Sequence, residues 1–391
     1  MNTDDPRITR IEWGKLEGER RRHAGSNSRS GAHGQIVHLG LARITTEDGC
    51  SGFGFSDIDA DHALPLLGRR LSEVFSAQSG VLPAYQALDF AVWDLVGQRQ
   101  NLPVYALVAN LAGASVPTSI HPPCYDTTLY FDDLHLDSTH AAAELLATQA
   151  LDDYEWGHRA FKVKVGRGAR HMSLKHGTER DIAVIRAVRK AIGPTAKLML
   201  DANNGYNLNL TKQVLGETAD CNIFWIEEAF HEDAELYAAL RDWQTEQGLH
   251  VLIADGEGRA SSKLLKWARD GFIDVVQYDI LRYGFTAWLE VGRRLDQWGV
   301  RSAPHHYGRH YGNFASGHLS TAIKNFTFVE WDEATTPGLD TTGYAVKEGE
   351  VQIPDSAGFG LKLDNVVFEQ AVARNGFRVV MSGRGCRSER L

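Results

Sequence analysis

Three acidic residues close three successive apolar runs: Asp201 in KLMLDANNGY, Glu227 in IFWIEEAF and Glu257 in VLIADGEG. They lie 26 and 30 residues apart. Each gap has room for one helix, two loops and one strand, which is a βα unit. Strands of consecutive βα units run parallel and open their C-terminal ends on one face. Three carboxylates gathered there repel each other unless a cation neutralises them. Hard oxygen ligands suit Mg2+, which keeps positions open for water and substrate.

Other strand ends extend the pattern. Lys162 and Lys164 in FKVKV are two apart, so both face the same way on a strand. Like-charge repulsion and desolvation lower a lysine pKa, which makes one of them a usable base near neutral pH. With a cation holding a substrate carboxylate, Lys164 is placed to remove an α-proton and leave a stabilised enediolate. Asp279 ends IDVVQYD, and His305 follows VRSAP one βα unit later. A carboxylate there orients the imidazole and raises its basicity. His306 points elsewhere on an extended backbone, so His305 is the preferred acid or base. Glu330 in FVEW is open to two roles, a ligand for a substrate hydroxyl or developing oxyanion, or a structural carboxylate. Working residues at the C-terminal ends of strands are the signature of a barrel mouth.

The elements that must position these residues fall into three stretches. Residues 7–57 read as antiparallel strands with a turn at Asp48-Gly49, and the segment AYQALDFAVWDLVGQRQ reads as a helix stopped near Asn101 and Pro103. From residue 116 strands and helices alternate. The strands are VPTSI or PCYDTTLYF, then RAFKVKV, KLMLD, IFWIE, HVLIA, IDVVQYD, VRSAP and FTFVE. TERDIAVIRAVRKAIGP has apolar residues at helical spacing and ends at Gly193-Pro194. After residue 335 short strands and turns return and are expected to pack back on the N-terminal part. The predicted division is therefore a capping domain over 1–115, a barrel over 116–335 and a returning segment over 336–391.

Bulk properties narrow the class. The 391 residues suffice for a barrel and a smaller domain. A net charge of −9 argues against nucleic acid or an anionic membrane as partner. Cysteines at 50, 124, 221 and 386 form no CxxC or disulfide pattern, which points to a reducing cytoplasm. MNTDDPRITRIEW does not have the form of a signal peptide.

In order, KVK, LDANNGY, WIEEAF, ADGEG, QYD, APHH and VEW resemble the mandelate racemase subgroup of the enolase superfamily. ALDFAVWDLVGQRQNLPVYALV resembles its capping-domain helix, and VQIPDSAGFGLKLD its C-terminal return. The resemblance spans nearly the whole chain. It implies an α/β fold, a modified (β/α)7β TIM-type barrel with an N-terminal α+β capping domain. It further implies Mg2+ held by Asp201, Glu227 and Glu257, Lys164 as one acid/base tuned by Lys162, and the His305–Asp279 dyad as the other. Homo-oligomers, dimers or octamers, come with it. Asp255, two residues before Glu257, shares its facing only if the segment stays extended, and the family pattern favours Glu257. The stretch GRGARHMSLKHGTERD after Lys164 and the interval from Glu227 to Glu257 are longer than the family pattern suggests.

The implied reaction is dehydration of an acid sugar, an aldonate or aldarate, to a 2-keto-3-deoxy acid. Racemisation, epimerisation or cycloisomerisation by the same chemistry is the alternative. The polar segment 18–34 carries Arg20, Arg21, Arg22, His23, Asn27, Arg29 and His33. As a flexible lid it suits a polyhydroxylated or dicarboxylate substrate.

Overall fold

The computed structural model describes residues 5–258, 260–382 and 385–389. The first three strands, β1 (Ile8–Ala24), β2 (Gly34–Thr46) and β3 (Ser51–Phe55), form an antiparallel sheet. Gly49, at φ 84°, supplies the left-handed residue in the turn from β2 to β3. Helix α1 (Asp89–Gln100) lies against this sheet and ends at Asn101, φ 50°. The approach is close: a Cβ on Gly52 would meet the Leu95 backbone nitrogen at 2.2 Å.

Eight parallel strands follow: β4 (Cys124–Leu129), β5 (Ala160–Lys164), β6 (Lys197–Asp201), β7 (Ile223–Glu227), β8 (Leu252–Asp255), β9 (Val275–Val276), β10 (Arg301–Ser302) and β11 (Val329–Trp331). They pair in the order β10-β9-β8-β7-β6-β5-β4-β11. The ring closes through Ser302, which pairs with Phe326 and accepts the Thr327 N–H at 2.8 Å. Of the two candidates for the first barrel strand, PCYDTTLYF is the one that forms it.

The barrel floor is filled by one inward side chain from each strand position: Tyr125, Ala160, Met199, Trp225, Ala254, Val275, Ala303 and Phe328. This packed layer closes the pore below, so the polar groups one pleat higher face only the mouth. Past the barrel, Ala334–Thr335 and Phe377–Ser382 both pair with β1, which ties the chain's return to the capping sheet.

The stretch after Lys164 that is long for the family pattern forms a short turn, Arg167–Ala169, and a helix from Leu174 to Ile192 whose N-terminus is capped by the Ser173 side chain. One expectation changes here: the arginine-rich start of segment 18–34 is not a flexible loop. β1 continues through it to Ala24, with Arg20 facing inward in the alternating pattern of a strand. Residues 383, 384, 390 and 391 of the basic tail lie outside the described residues.

Candidate active site

Parity along each strand decides which side chains reach the mouth. Ala160, Lys162 and Lys164 share one face of β5, Met199 and Asp201 one face of β6, and Trp225 and Glu227 one face of β7. On β8 the inward residue is Ala254, so Asp255 points outward, where Tyr237 donates to its Oδ2 at 2.6 Å. Glu257 is brought to the mouth by a break in the extended chain, with Gly256 at φ 129° and Gly258 at φ 68°. Asp255 is therefore not a member of the cluster; burial pushes its carboxyl up to about 8.

Asp201, Glu227 and Glu257 each present a carboxylate oxygen, all within 4.8 Å of one another. Asp201 and Glu227 are fully buried. Burial and the neighbouring Asp201 push Glu227 up to about 7. An all-oxygen, triply acidic cluster crowded this way fits a hard divalent cation such as Mg2+, which would relieve the repulsion. Asn203 braces the set: its backbone N–H donates to Asp201 at 2.9 Å, and its amide donates to Glu257 and Glu228, both at 3.3 Å.

Lys164 Nζ donates to Asp201 Oδ2 on one flank of the cluster. Lys162 lies beneath, with Nζ 2.9 Å from Glu227, 3.2 Å from Glu330 and 3.3 Å from the Tyr125 hydroxyl. The expectation that crowding of the two lysines lowers the pKa fails for Lys162. Burial does disfavour its charge, but Glu227 and Glu330 outweigh that and hold the ammonium well above the ordinary lysine range.

On the opposite flank His305 Nε2 lies 3.0 Å from Glu257, and Nδ1 lies 3.5 Å from Asp279. Burial would neutralise the ring, but Glu330, Glu257 and Asp279 outweigh it and keep its pKa well above the ordinary value. His306 turns away from the mouth. Its ring contacts the Glu330 carbonyl at 2.6 Å, and its backbone N–H donates to the Glu330 carboxylate. Glu330 itself accepts from Thr127, Lys162 and the backbones of His306 and Tyr307. Those four donors occupy its lone pairs, which favours the structural of its two roles.

Sequence reasoning did not single out Glu228. The neighbour of an inward strand residue should face outward, but φ of 41° turns Glu228 back beside the cluster. Burial, Glu257 and Asp201 push its carboxyl up to about 10. Tyr130, just beyond β4, was missed as well; Lys164 Nζ sits 5.0 Å from its ring centre.

The lid tip covers this site. Ser28 Oγ donates to the carbonyls of Ala202 and Asn203, at 2.5 and 3.1 Å. The turn after β5 supports it from the side, through Arg170 to the Arg29 carbonyl and His171 to the Asn27 carbonyl at 2.8 Å.

Residues 145–367 match the family described as enolase C-terminal domain-like. A galacturonate dehydratase from a Geobacillus species, complexed with D-galacturonate and 5-keto-4-deoxy-D-galacturonate, is 47% identical. The match covers 97% of this chain and 100% of that one, with a TM-score of 0.91. A mandelate racemase/muconate lactonizing protein from Geobacillus sp. Y412MC10, complexed with magnesium and tartrate, is 48% identical over 94% of this chain and 96% of that one, with a TM-score of 0.92. D-galactarolactone cycloisomerase of Agrobacterium fabrum is 27% identical, with 72% of each chain covered. The chain belongs to the enolase C-terminal domain-like family. It is an enolase-superfamily enzyme with the fold of the mandelate racemase group. Among the described residues no helix is long and apolar enough to cross a membrane.

Proposed function

We propose that this enzyme is a Mg2+-dependent dehydratase of an acid sugar, and that its substrate is a hexuronate of the galacturonate type. The observation that carries the proposal is the flanking of one acidic cluster by Lys164 on Asp201 and by His305, 3.0 Å from Glu257. Similarity to galacturonate dehydratase supports the choice of sugar.

Asp201, Glu227 and Glu257 would hold the cation, which when bound supplies a ligand site for the substrate carboxylate and spreads the charge that builds up there. Lys164, released from Asp201, takes the proton from the carbon next to the carboxylate. His305, kept protonated by the carboxylates around it, gives a proton to the hydroxyl leaving the next carbon. One C–H and one C–O bond break, water departs, and the enol left behind tautomerises to a ketone. Counted from the carboxylate the product is a 2-keto-3-deoxy acid, and counted from the aldehyde it is a 5-keto-4-deoxy acid. Lys162 and Glu330 keep the floor of the site charged and fixed. In this scheme residues 1–115 cap the barrel of 116–335, and 336–391 fasten the cap.

The same two flanking groups could invert the α-carbon instead of expelling water. A screen of purified protein with Mg2+ against uronates, aldonates and aldarates separates the two, with semicarbazide absorbance reporting keto acid. Keto acid from D-galacturonate that disappears with EDTA, in K164A and in H305A is the expected outcome. Epimer without keto acid would replace dehydration with racemisation.

A further inference from the structure

The wall over Lys164, where His33 of the lid meets Tyr130 and Tyr307, is aromatic, and the lid's arginines are all engaged, Arg20 lying 4.7 Å from the Tyr307 ring centre. Each lid arginine is already matched to a protein carboxylate. Arg20 donates to both oxygens of buried Asp332, each at 3.1 Å. Arg21 and Arg22 donate to Asp153 at 2.9 and 2.8 Å. Arg29 lies 3.2 Å from Glu228 and 3.8 Å from Glu257. Arg29 is half exposed, but its guanidinium is held between Glu228 and Glu257 and its backbone carbonyl accepts from Arg170.

What stands over Lys164 is Tyr130, stacked on Tyr307 with ring centres 4.7 Å apart. His33 of the lid packs edge-on against both, at 5.0 and 5.4 Å. Partial burial, Lys164 and Arg20 push the His33 pKa down to about 4, so it is a neutral imidazole at working pH. Lys164 is itself already engaged, its Nζ donating to Asp201.

Given the dehydratase chemistry proposed above, we infer that His33, Tyr130 and Tyr307 form the subsite for the far end of the acid sugar, and that they select an uncharged end against a second carboxylate. Phenol and imidazole groups hydrogen-bond hydroxyls or an aldehyde hydrate, and ring faces cover sugar C–H groups. A second carboxylate would lose water there and gain no free cation. Tartrate, bound in the similar Geobacillus structure, is a four-carbon diacid whose second carboxylate sits two carbons short of that of a six-carbon diacid.

D-galacturonate, L-galactonate and galactarate test this, because read from the reacting carboxylate they share every hydroxyl configuration and differ only at the far end. With Mg2+-loaded enzyme, kcat/KM for galactarate should fall about 100-fold or more below the better monocarboxylate, as expected for an unpaired, desolvated charge. H33R, which adds an unpaired guanidinium, should narrow that gap at least tenfold through the KM for galactarate. Y130F, which keeps the stack and deletes one hydroxyl, should raise the KM for the monocarboxylates by about tenfold. Galactarate turned over within tenfold of both monocarboxylates by the unaltered enzyme would overturn the subsite while leaving the dehydratase proposal standing. A gap and a KM unmoved by both variants would overturn the assignment to this wall. Dehydration of none of the three would defeat the galacturonate-type proposal, and the subsite with it.

Discussion

His305 Nδ1 lies 3.5 Å from Asp279 Oδ2, and the backbones of the two residues pair as a parallel bridge between neighbouring strand ends. Asp279 also caps the helical turn Ile280–Tyr283 and receives Arg309 at 3.2 Å, so it is fixed independently of the ring. D279N should therefore fold normally yet lose about 10²–10⁴-fold in kcat, the usual contribution of a positioned acid. H305N should abolish keto-acid formation but leave Lys164-catalysed exchange of the α-proton with D2O, followed by NMR. Loss of exchange in H305N with retention in K164A would reverse the two roles.

The crowding of Asp201, Glu227 and Glu257 implies that a divalent cation stabilises the folded chain as well as serving the reaction. At a Mg2+ concentration 100 times its Kd the gain is about 2.7 kcal/mol. Tm measured with and without Mg2+ should rise accordingly, and EDTA should reverse it. E227Q should remain folded and show no such rise. An equal rise in E227Q would place the cation elsewhere.

Much of this centre was legible in the sequence because β-strand parity is strict. Lys164, Asp201 and Glu227 end continuous strands and face the mouth as the two-residue period requires. Legibility stops where the backbone leaves the extended region. The choice of Glu257 over Asp255 depends on Gly256 at φ 129°, and the return of Glu228 on its own φ of 41°. The lid misled for a different reason. β1 runs on through residues that look like a polar loop, because its inward position is an arginine paired with Asp332, a partner more than 300 residues away. No local pattern distinguishes such an arginine from a solvated one.

Lys162 is the buried cation that offsets the floor of the site, 2.9 Å from Glu227, 3.2 Å from Glu330 and 3.6 Å from Asp201. Its removal strands carboxylates that have no water to turn to. K162M should destabilise the metal-free protein by about 3–5 kcal/mol in urea unfolding, the range for breaking a buried ion pair. A loss below about 1 kcal/mol would mean that Glu330 and Glu227 are not charged in the folded chain.

His318 joins the capping domain to the barrel's end as a neutral ring. Its Nδ1 accepts the Tyr105 N–H at 2.9 Å, so Nε2 carries the proton toward the Tyr344 hydroxyl, also at 2.9 Å. Burial pushes its pKa down to about 3. The unfolded chain takes up this proton near pH 6.5 and the folded chain does not. The associated stability is thus present above pH 6.5 and is lost as pH falls toward 3. Between pH 7 and pH 5 the loss is about 2 kcal/mol. Asp94, raised to about 7 by burial, has the opposite sign, its contribution being lost as pH rises. The comparison that isolates His318 is therefore the difference in slope between the unaltered chain and H318N. Identical slopes would show that the ring is protonated in place.

Ser28 closes the lid into a notch that has no room for a side chain. A Cβ on Gly205 would stand 2.6 Å from Ser28 Cβ and 2.8 Å from its Oγ. Because the far wall of that notch is the backbone of the loop carrying Asp201 and Asn203, the lid rather than the loop should yield. Overpacking of this kind costs about 1–3 kcal/mol, which lowers the population of the closed lid by roughly 5- to 160-fold. G205A should accordingly raise KM by a factor in that range with a smaller effect on kcat, and should speed tryptic cleavage after Arg29. In an S28G background, which lacks both the clash and the Ser28 hydroxyl, G205A should have little further effect on KM, and the coupling energy of the cycle measures the contact directly. If G205A raises KM as much in the S28G background as in the unaltered chain, the lid does not close through Ser28. In that case Arg29 on Glu228 is the contact that holds it down.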